Sequence, residues 1–245
     1  MPAARGRFAT TRWSVVLAAS DGDSPTADEA LAKLYETYYY PLYGYLRGRG
    51  QDVSDAEDLT QAFFAQLLEK KVLRHADPAR GRFRSFLLKS LQNFVANEHD
   101  RRHAKKRAPA APLLPLDFGV AEERYQLEPA TGETPERIFD RRWAQALLEC
   151  TLTRLASEQT GAGRGRQFEC LKVYLTGEQP QIGYADTAAA LGISAGAVKV
   201  AVHRLRQRFR ALVTEEVAHT VASPDEIENE IRHLLSAVTA DAPFV

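Results

Sequence analysis

The sequence predicts an all-α protein, two small helical domains joined by a Pro-rich acidic linker. Three observations carry this. Apolar residues recur at helical spacing, as at Leu31, Leu34, Tyr35, Tyr38 and Leu42. Pro and Gly cluster between the periodic segments. No alternating Val/Ile/Thr run bounded by turns marks a strand. The expected organisation is an N-terminal extension over 1–27, a helical domain over 28–107, a linker over 108–134, a second helical domain over 135–213 and an acidic amphipathic extension over 214–245.

In the extension, the aromatic residues between Phe8 and Ser20 fit an extra short helix. The first domain opens with a helix over Asp28 to Arg47, in which Pro41 predicts a kink or a break. Gly48-Arg49-Gly50 stops it. Ser54 then reads as an N-cap, with Glu57 three residues on. The helix that follows carries Leu59, Phe63, Leu67 and Leu68 on one stripe, while Asp55, Asp58, Gln61 and Ala62 fall away from it. Arg74 to Arg82 reads as a polar loop. A third helix, from about Phe83 to His103, has Phe86, Leu87, Leu91, Phe94 and Val95 as its apolar face. Ala108 to Thr134 holds Pro109, Pro112, Pro115 and Pro129 and has little periodicity, so it reads as the linker.

Thr134-Pro135-Glu136 is a helix start, with Pro at the first helical position. Phe139, Trp143, Leu147 and Leu148 supply that helix's stripe. Another helix is expected over Phe168 to Leu175. From Tyr184 an Ala-rich helix runs to Leu191, Gly192 allows a tight turn, Ile193 plugs the corner and Ser194 caps a second helix. Val198, Val202, Leu205 and Phe209 form the buried stripe of that helix. Gly196, Lys199, Val200, His203, Arg204 and Gln207 face outward. This is the pattern of a helix-turn-helix whose second helix presents small and basic residues to a major groove. In the tail, Ser223-Pro224-Asp225-Glu226 starts an amphipathic helix over Ile227, Ile231, Leu234, Leu235 and Val238. It is expected to pack on the second domain, or to act as a regulatory element that screens the basic DNA-binding surface.

Composition narrows the function. The chain has 245 residues, 44% hydrophobic and 26% charged, as for a globular protein. No stretch approaches the ~20 apolar residues of a membrane helix, and Phe8 to Ser20 is not the core of a secretory signal. Cys150 and Cys170 are too few for a disulfide framework. A cytoplasmic protein that contacts no membrane is expected. The 32 basic and 32 acidic residues cancel, but they are segregated. Arg80 to Arg107 and Lys199 to Arg210 are basic blocks, the second free of acids, which suggests two contacts with a polyanion.

An enzyme is not expected. His99 and His103, four apart, lack a third metal ligand. Gly161 to Arg166 lacks the Lys-Ser/Thr of a phosphate loop. No nucleophile–base constellation stands out, and no metal or cofactor is expected.

The motifs together resemble the extracytoplasmic-function (ECF) type sigma factors of bacterial RNA polymerase. Asp55-Ala56-Glu57-Asp58-Leu59-Thr60-Gln61-Ala62-Phe63-Phe64 resembles the region 2 segment that docks on core polymerase. Phe83-Arg84-Ser85-Phe86-Leu87-Leu88-Lys89-Ser90-Leu91-Gln92-Asn93 resembles the helix that opens and reads the minus-ten element. Tyr184 to Arg210 resembles the region 4 helix-turn-helix that reads the minus-thirty-five element. The resemblance implies core RNA polymerase and promoter DNA as partners, and it admits an anti-sigma protein or another regulator. It implies polymerase contact through Asp55, Asp58, Gln61 and Ala62, where Ala62 replaces the usual Glu. Minus-ten contact is implied for Arg80, Arg82, Arg84, Phe86, Lys89, Asn93, Arg101 and Arg102. Minus-thirty-five contact is implied for Gly196, Lys199, Val200, His203, Arg204 and Gln207. The rival is a transcriptional regulator that binds DNA through the helix-turn-helix alone, with an N-terminal sensor or dimerisation domain.

Overall fold

The computed structural model describes residues 25–68, 81–104, 119–127, 133–175 and 183–239. The elements among them are all helical, in agreement with the all-α expectation. They are α1 Pro25–Gly48, α2 Val53–Leu68, α3 Phe83–Ala104, α4 Gly119–Leu127, α5 Pro135–Gly161, α6 Gly165–Leu171, α7 Tyr184–Leu191, α8 Ala195–Ala218 and α9 Ile227–Thr239. Short 3₁₀ turns occupy Lys172–Tyr174 and Pro224–Glu226. The described residues cluster into two compact units. Residues 147–216 form one, and the described residues up to 146 form the other together with those from 217 onward. This division departs from the expected boundaries, because 135–146 and the C-terminal helix both cluster with the N-terminal half.

In the larger unit, α1 is lined with tyrosines. Pro41 lies inside it and does not end it. Tyr35, Tyr38, Tyr39, Tyr43 and Tyr45 are buried. Tyr35 stacks on Tyr39 at 5.0 Å between ring centroids and meets Phe64 of α2 at 4.7 Å. Tyr38 stacks on Trp143 of α5 at 4.3 Å, with the rings within 16° of parallel. Such pairs add to the burial of their rings. Gly44 leaves room for Arg142, whose Nη1 lies 1.3 Å from where a Cβ at that position would sit. Arg142 is itself buried, with its guanidinium over the rings of Tyr40 and Tyr125.

The cap of α2 is Asp52 rather than the expected Ser54. Its Oδ1 accepts the Asp55 backbone N–H at 2.8 Å. Aspartate caps as well as serine does, and it stands one residue before the first helical position. Along α2, Ala56, Leu59, Phe63 and Leu67 are buried, which is the spacing of one face of a 3.6-residue turn.

α4 lies inside the stretch expected to be a linker. Glu122 anchors it to α1, accepting from the Tyr43 hydroxyl and pairing with Arg47 at 3.2 Å. The Arg47 guanidinium also sits 4.9 Å from the Tyr125 ring centroid. The prolines on either side hid a short helix whose packing rests on polar and aromatic contacts rather than on an apolar stripe.

In the smaller unit, Leu155, Phe168, Leu171, Tyr174, Ala188, Val198, Val202, Leu205 and Leu212 form one core, with Ile193 and Phe209 packed against it. The helix expected over Phe168 to Leu175 starts earlier, at Gly165, and gives way to the 3₁₀ turn after Leu171.

Candidate functional site

On α2 the positions of Asp55, Asp58 and Ala62 recur at three- and four-residue steps, so they share one face with Gln61 beside it. Asp58 is exposed, and Asp55, Gln61 and Ala62 are half-buried. Glu57 adjoins them. Its carboxyl is held above the usual value by burial first, then by the charges of Asp58 and Glu122. The face is therefore acidic, with Asp58 open to solvent.

Along α3, polar residues divide between an exposed face and a buried ion-pair cluster at its start. Ser85, Lys89 and Asn93, four apart, are exposed on one face. Phe86 is half-buried, its ring 6.0 Å from that of Phe83. Arg84, expected to face a DNA strand, is only 6% exposed. Its Nε donates to Glu230 at 2.7 Å and its Nη1 bonds Asp140. Burial works against its charge, but Glu230 and Asp140 outweigh burial and hold it protonated above its ordinary range. Arg82, 30% exposed, also pairs with Glu230, at 2.9 Å. His233 completes the cluster through Asp140, at 3.0 Å. Arg84 therefore differs from its expected placement because a carboxylate from the C-terminal helix claims it. Arg80 lies outside the described residues. Arg101 and Arg102 fall within α3, with side chains outside what is described.

The C-terminal helix is the second departure. It was expected to pack on the second domain or to screen the basic DNA-binding surface; α9 does not pack on the second domain as a unit of 135–213 but brings Glu230, 1% exposed, to the start of α3. The Phe83 N–H also reaches the Thr220 carbonyl at 3.4 Å. Sequence reading missed Glu230, although a signal was present. Ile227, Ile231, Leu234 and Val238 mark the apolar stripe of α9, and Glu230 stands on that stripe. A carboxylate on an apolar face implies a buried cationic partner.

In the smaller unit, α7 and α8 meet at 98°. Gly192 ends α7 with φ at 66°, and the N–H of Ile193 bonds the Ala188 carbonyl at 3.1 Å. This is a left-handed helix cap that favours glycine. The Ser194 hydroxyl accepts the Ala197 N–H at 3.2 Å, capping α8 as expected. Gly196, Lys199, Val200, His203, Arg204 and Gln207 are all exposed on α8, Val200 to 50%. The Lys199 ammonium lies 5.9 Å from the Tyr184 ring centroid.

Two further arginines of the basic block on α8, Arg206 and Arg208, serve the fold. The Arg206 Nε donates to the Tyr174 carbonyl at 2.9 Å. Arg208 makes two hydrogen bonds of 2.8 Å to Glu158 and a third, of 3.2 Å, to Glu215. The hydrogen bond from Arg208 holds the Glu158 carboxyl below its usual range. Arg204 and Arg208 also line a cavity of about 500 Å³ floored by Phe168, Leu171 and Leu205.

No single helix among the described residues is long and apolar enough to cross a membrane. No curated protein and no solved structure matches the chain. Residues 34–105, which hold the acidic face of α2 and the whole of α3, match the family described as Sigma-70 region 2. That similarity is to one domain of the sigma factors and covers less than a third of the chain.

Proposed function

We propose that the chain is a sigma factor of the ECF type, a specificity subunit without catalysis of its own, that binds core RNA polymerase and directs promoter recognition and melting. The match of residues 34–105 to Sigma-70 region 2 carries the reading, because it spans an acidic helix face and a basic helix in one small domain. The two faces divide the labour. Asp55, Asp58, Gln61 and Ala62 dock on polymerase. Lys89, Asn93 and Phe86 meet the separated minus-ten strand, where phosphate contacts position the chain and the aromatic ring offers a stacking surface.

The region 4 assignment rests on α7 and α8. Their 98° angle and glycine-containing turn suit a helix-turn-helix. Gly196 lets α8 approach a major groove, Lys199 and Arg204 reach phosphate or guanine, and Val200 suits a thymine methyl. No polymerisation chemistry is assigned to the chain, since phosphodiester synthesis belongs to the polymerase.

The test is binding to bacterial core RNA polymerase by the full chain and by an Asp58→Ala/Gln61→Ala variant. The wild type is expected to bind stably and the variant at least about tenfold more weakly, a loss of ~1.4 kcal/mol. A wild type that ignores core polymerase but binds duplex DNA in a salt-dependent way would replace this reading with that of a helix-turn-helix regulator.

A further inference from the structure

Helix α9 is held in an unusual manner. Of its 13 residues only Glu230 and Leu234 are fully buried. Leu235, an apolar residue of the same helix, is 47% exposed. Ile227, Ile231 and Val238 are half-buried, so the seat of the helix on the larger unit combines partial apolar burial with a buried charge cluster. Glu230 pairs with both Arg82 and Arg84, and His233 reaches Asp140, which also binds Arg84. Both arginines belong to the basic block that begins at Arg80 and runs through α3.

A carboxylate that receives two guanidinium groups offers them the same oxygen acceptors as a phosphate, and arginine binds either in a forked geometry. A helix anchored in part by such a pair is open to competition from a polyanion, whereas one anchored by apolar burial alone is not.

We propose that α9 is a displaceable cover over the start of α3: Glu230 occupies Arg82 and Arg84 in the free chain, and the phosphates of single-stranded DNA take its place. The proposal rests on the reading of α3 as a DNA-facing helix. It adds two arginines to that surface that the free chain withholds. Lys89 and Asn93 remain exposed throughout and make the first encounter. The cover then sets how tightly the chain holds a strand before a partner or promoter opens it.

The test uses the full chain and a labelled oligothymidine, with affinity measured over a range of salt concentrations. Glu230→Gln keeps the side chain's size and removes its charge. It is expected to bind the oligonucleotide at least fivefold more tightly at low salt. Its dependence of log affinity on log salt should match that of the wild type, since both bound states engage the same phosphates. A folded Glu230→Gln with unchanged or weaker binding would show that Glu230 is a structural strut and overturn the cover.

Lys89→Ala tests the underlying reading separately. If it weakens binding while Glu230→Gln changes nothing, the cover falls and the DNA-facing helix stands. If Lys89→Ala also changes nothing, both fall. Hydrogen exchange on the wild type needs no variant at all. Residues 227–239 should lose protection when oligothymidine is added, and unchanged or greater protection there would overturn the proposal.

Discussion

Gly44 and Arg142 show how a single residue sets the interior of the larger unit. A methyl at position 44 would overlap the buried guanidinium of Arg142, which cannot swing away because the Tyr40 and Tyr125 rings lie against it. Gly44→Ala should destabilise the chain by about 1–3 kcal/mol, the ordinary cost of overpacking. Thermal unfolding of Gly44→Ala, Arg142→Ala and the double variant checks this. The double variant should lose less than the sum of the two single losses, because the clash needs both partners. Additive losses would mean that the two sites do not meet. Residue chemistry also explains Ser54 and Arg84. Several residues near position 54 make acceptable caps, so local pattern alone does not choose between Asp52 and Ser54. Arg84 looks like any surface arginine until Glu230, 146 positions away in the chain, is brought to it.

At the scale of elements, the bend between α7 and α8 depends on Gly192. Its φ of 66° lies in the left-handed region, where a Cβ costs roughly 1–2 kcal/mol. Gly192→Ala is expected to lower the stability of the smaller unit by about that amount and to weaken duplex DNA binding by misaiming α8. Chemical denaturation alongside a duplex-binding assay measures both, and an unchanged midpoint would show that the turn tolerates a side chain. Most elements were legible in the sequence because their signals are local. The stripe of α2, the glycine turn and the Ser194 cap each sit within a few residues. α4 was hidden because nine residues flanked by prolines carry almost no periodicity, and its anchor at Glu122 is a long-range polar contact. The tail helix was legible as a helix, but its seat was not, because amphipathicity does not say which surface receives the apolar face.

For the whole molecule, acid should act on both units. Glu158 lies below the ordinary value of 4.5 through its hydrogen bond from Arg208. Glu122 lies below the same value, because the hydrogen bonds from Tyr43, Gln126 and Arg47 outweigh the opposing effect of burial. A carboxylate with a depressed folded value stabilises the chain fully above its unfolded value. That stabilisation is lost as pH falls through the folded one. Thermal stability should therefore drop as pH falls from about 5 towards 3, in both units. Glu57, shifted upward by burial and by its acidic neighbours, works in the opposite direction and softens the loss around α2. Melting curves at descending pH test this, and a flat profile across that window would contradict both assignments. The candidate surfaces follow the same rule as the fold. The outward residues of α8 could be read from one helix's period, whereas the division of the basic block into an open Lys89 and a claimed pair, Arg82 and Arg84, required the far end of the chain.

The stack of Tyr38 on Trp143 has an optical consequence. The chain contains two tryptophans, Trp13 and Trp143. Trp143 is nearly inaccessible to solvent, and its indole N–H has no hydrogen-bond partner among the described residues. An indole in dry surroundings emits at shorter wavelength than one in water. With Trp13 replaced by Phe, Trp143 becomes the single tryptophan, excited apart from the tyrosines at the red edge of absorption, at the meeting of α1 and α5, three residues along α5 from the Asp140 that holds Arg84 and His233. Loosening of the larger unit could then be followed in real time in the unlabelled protein, by the colour and quenching of one ring.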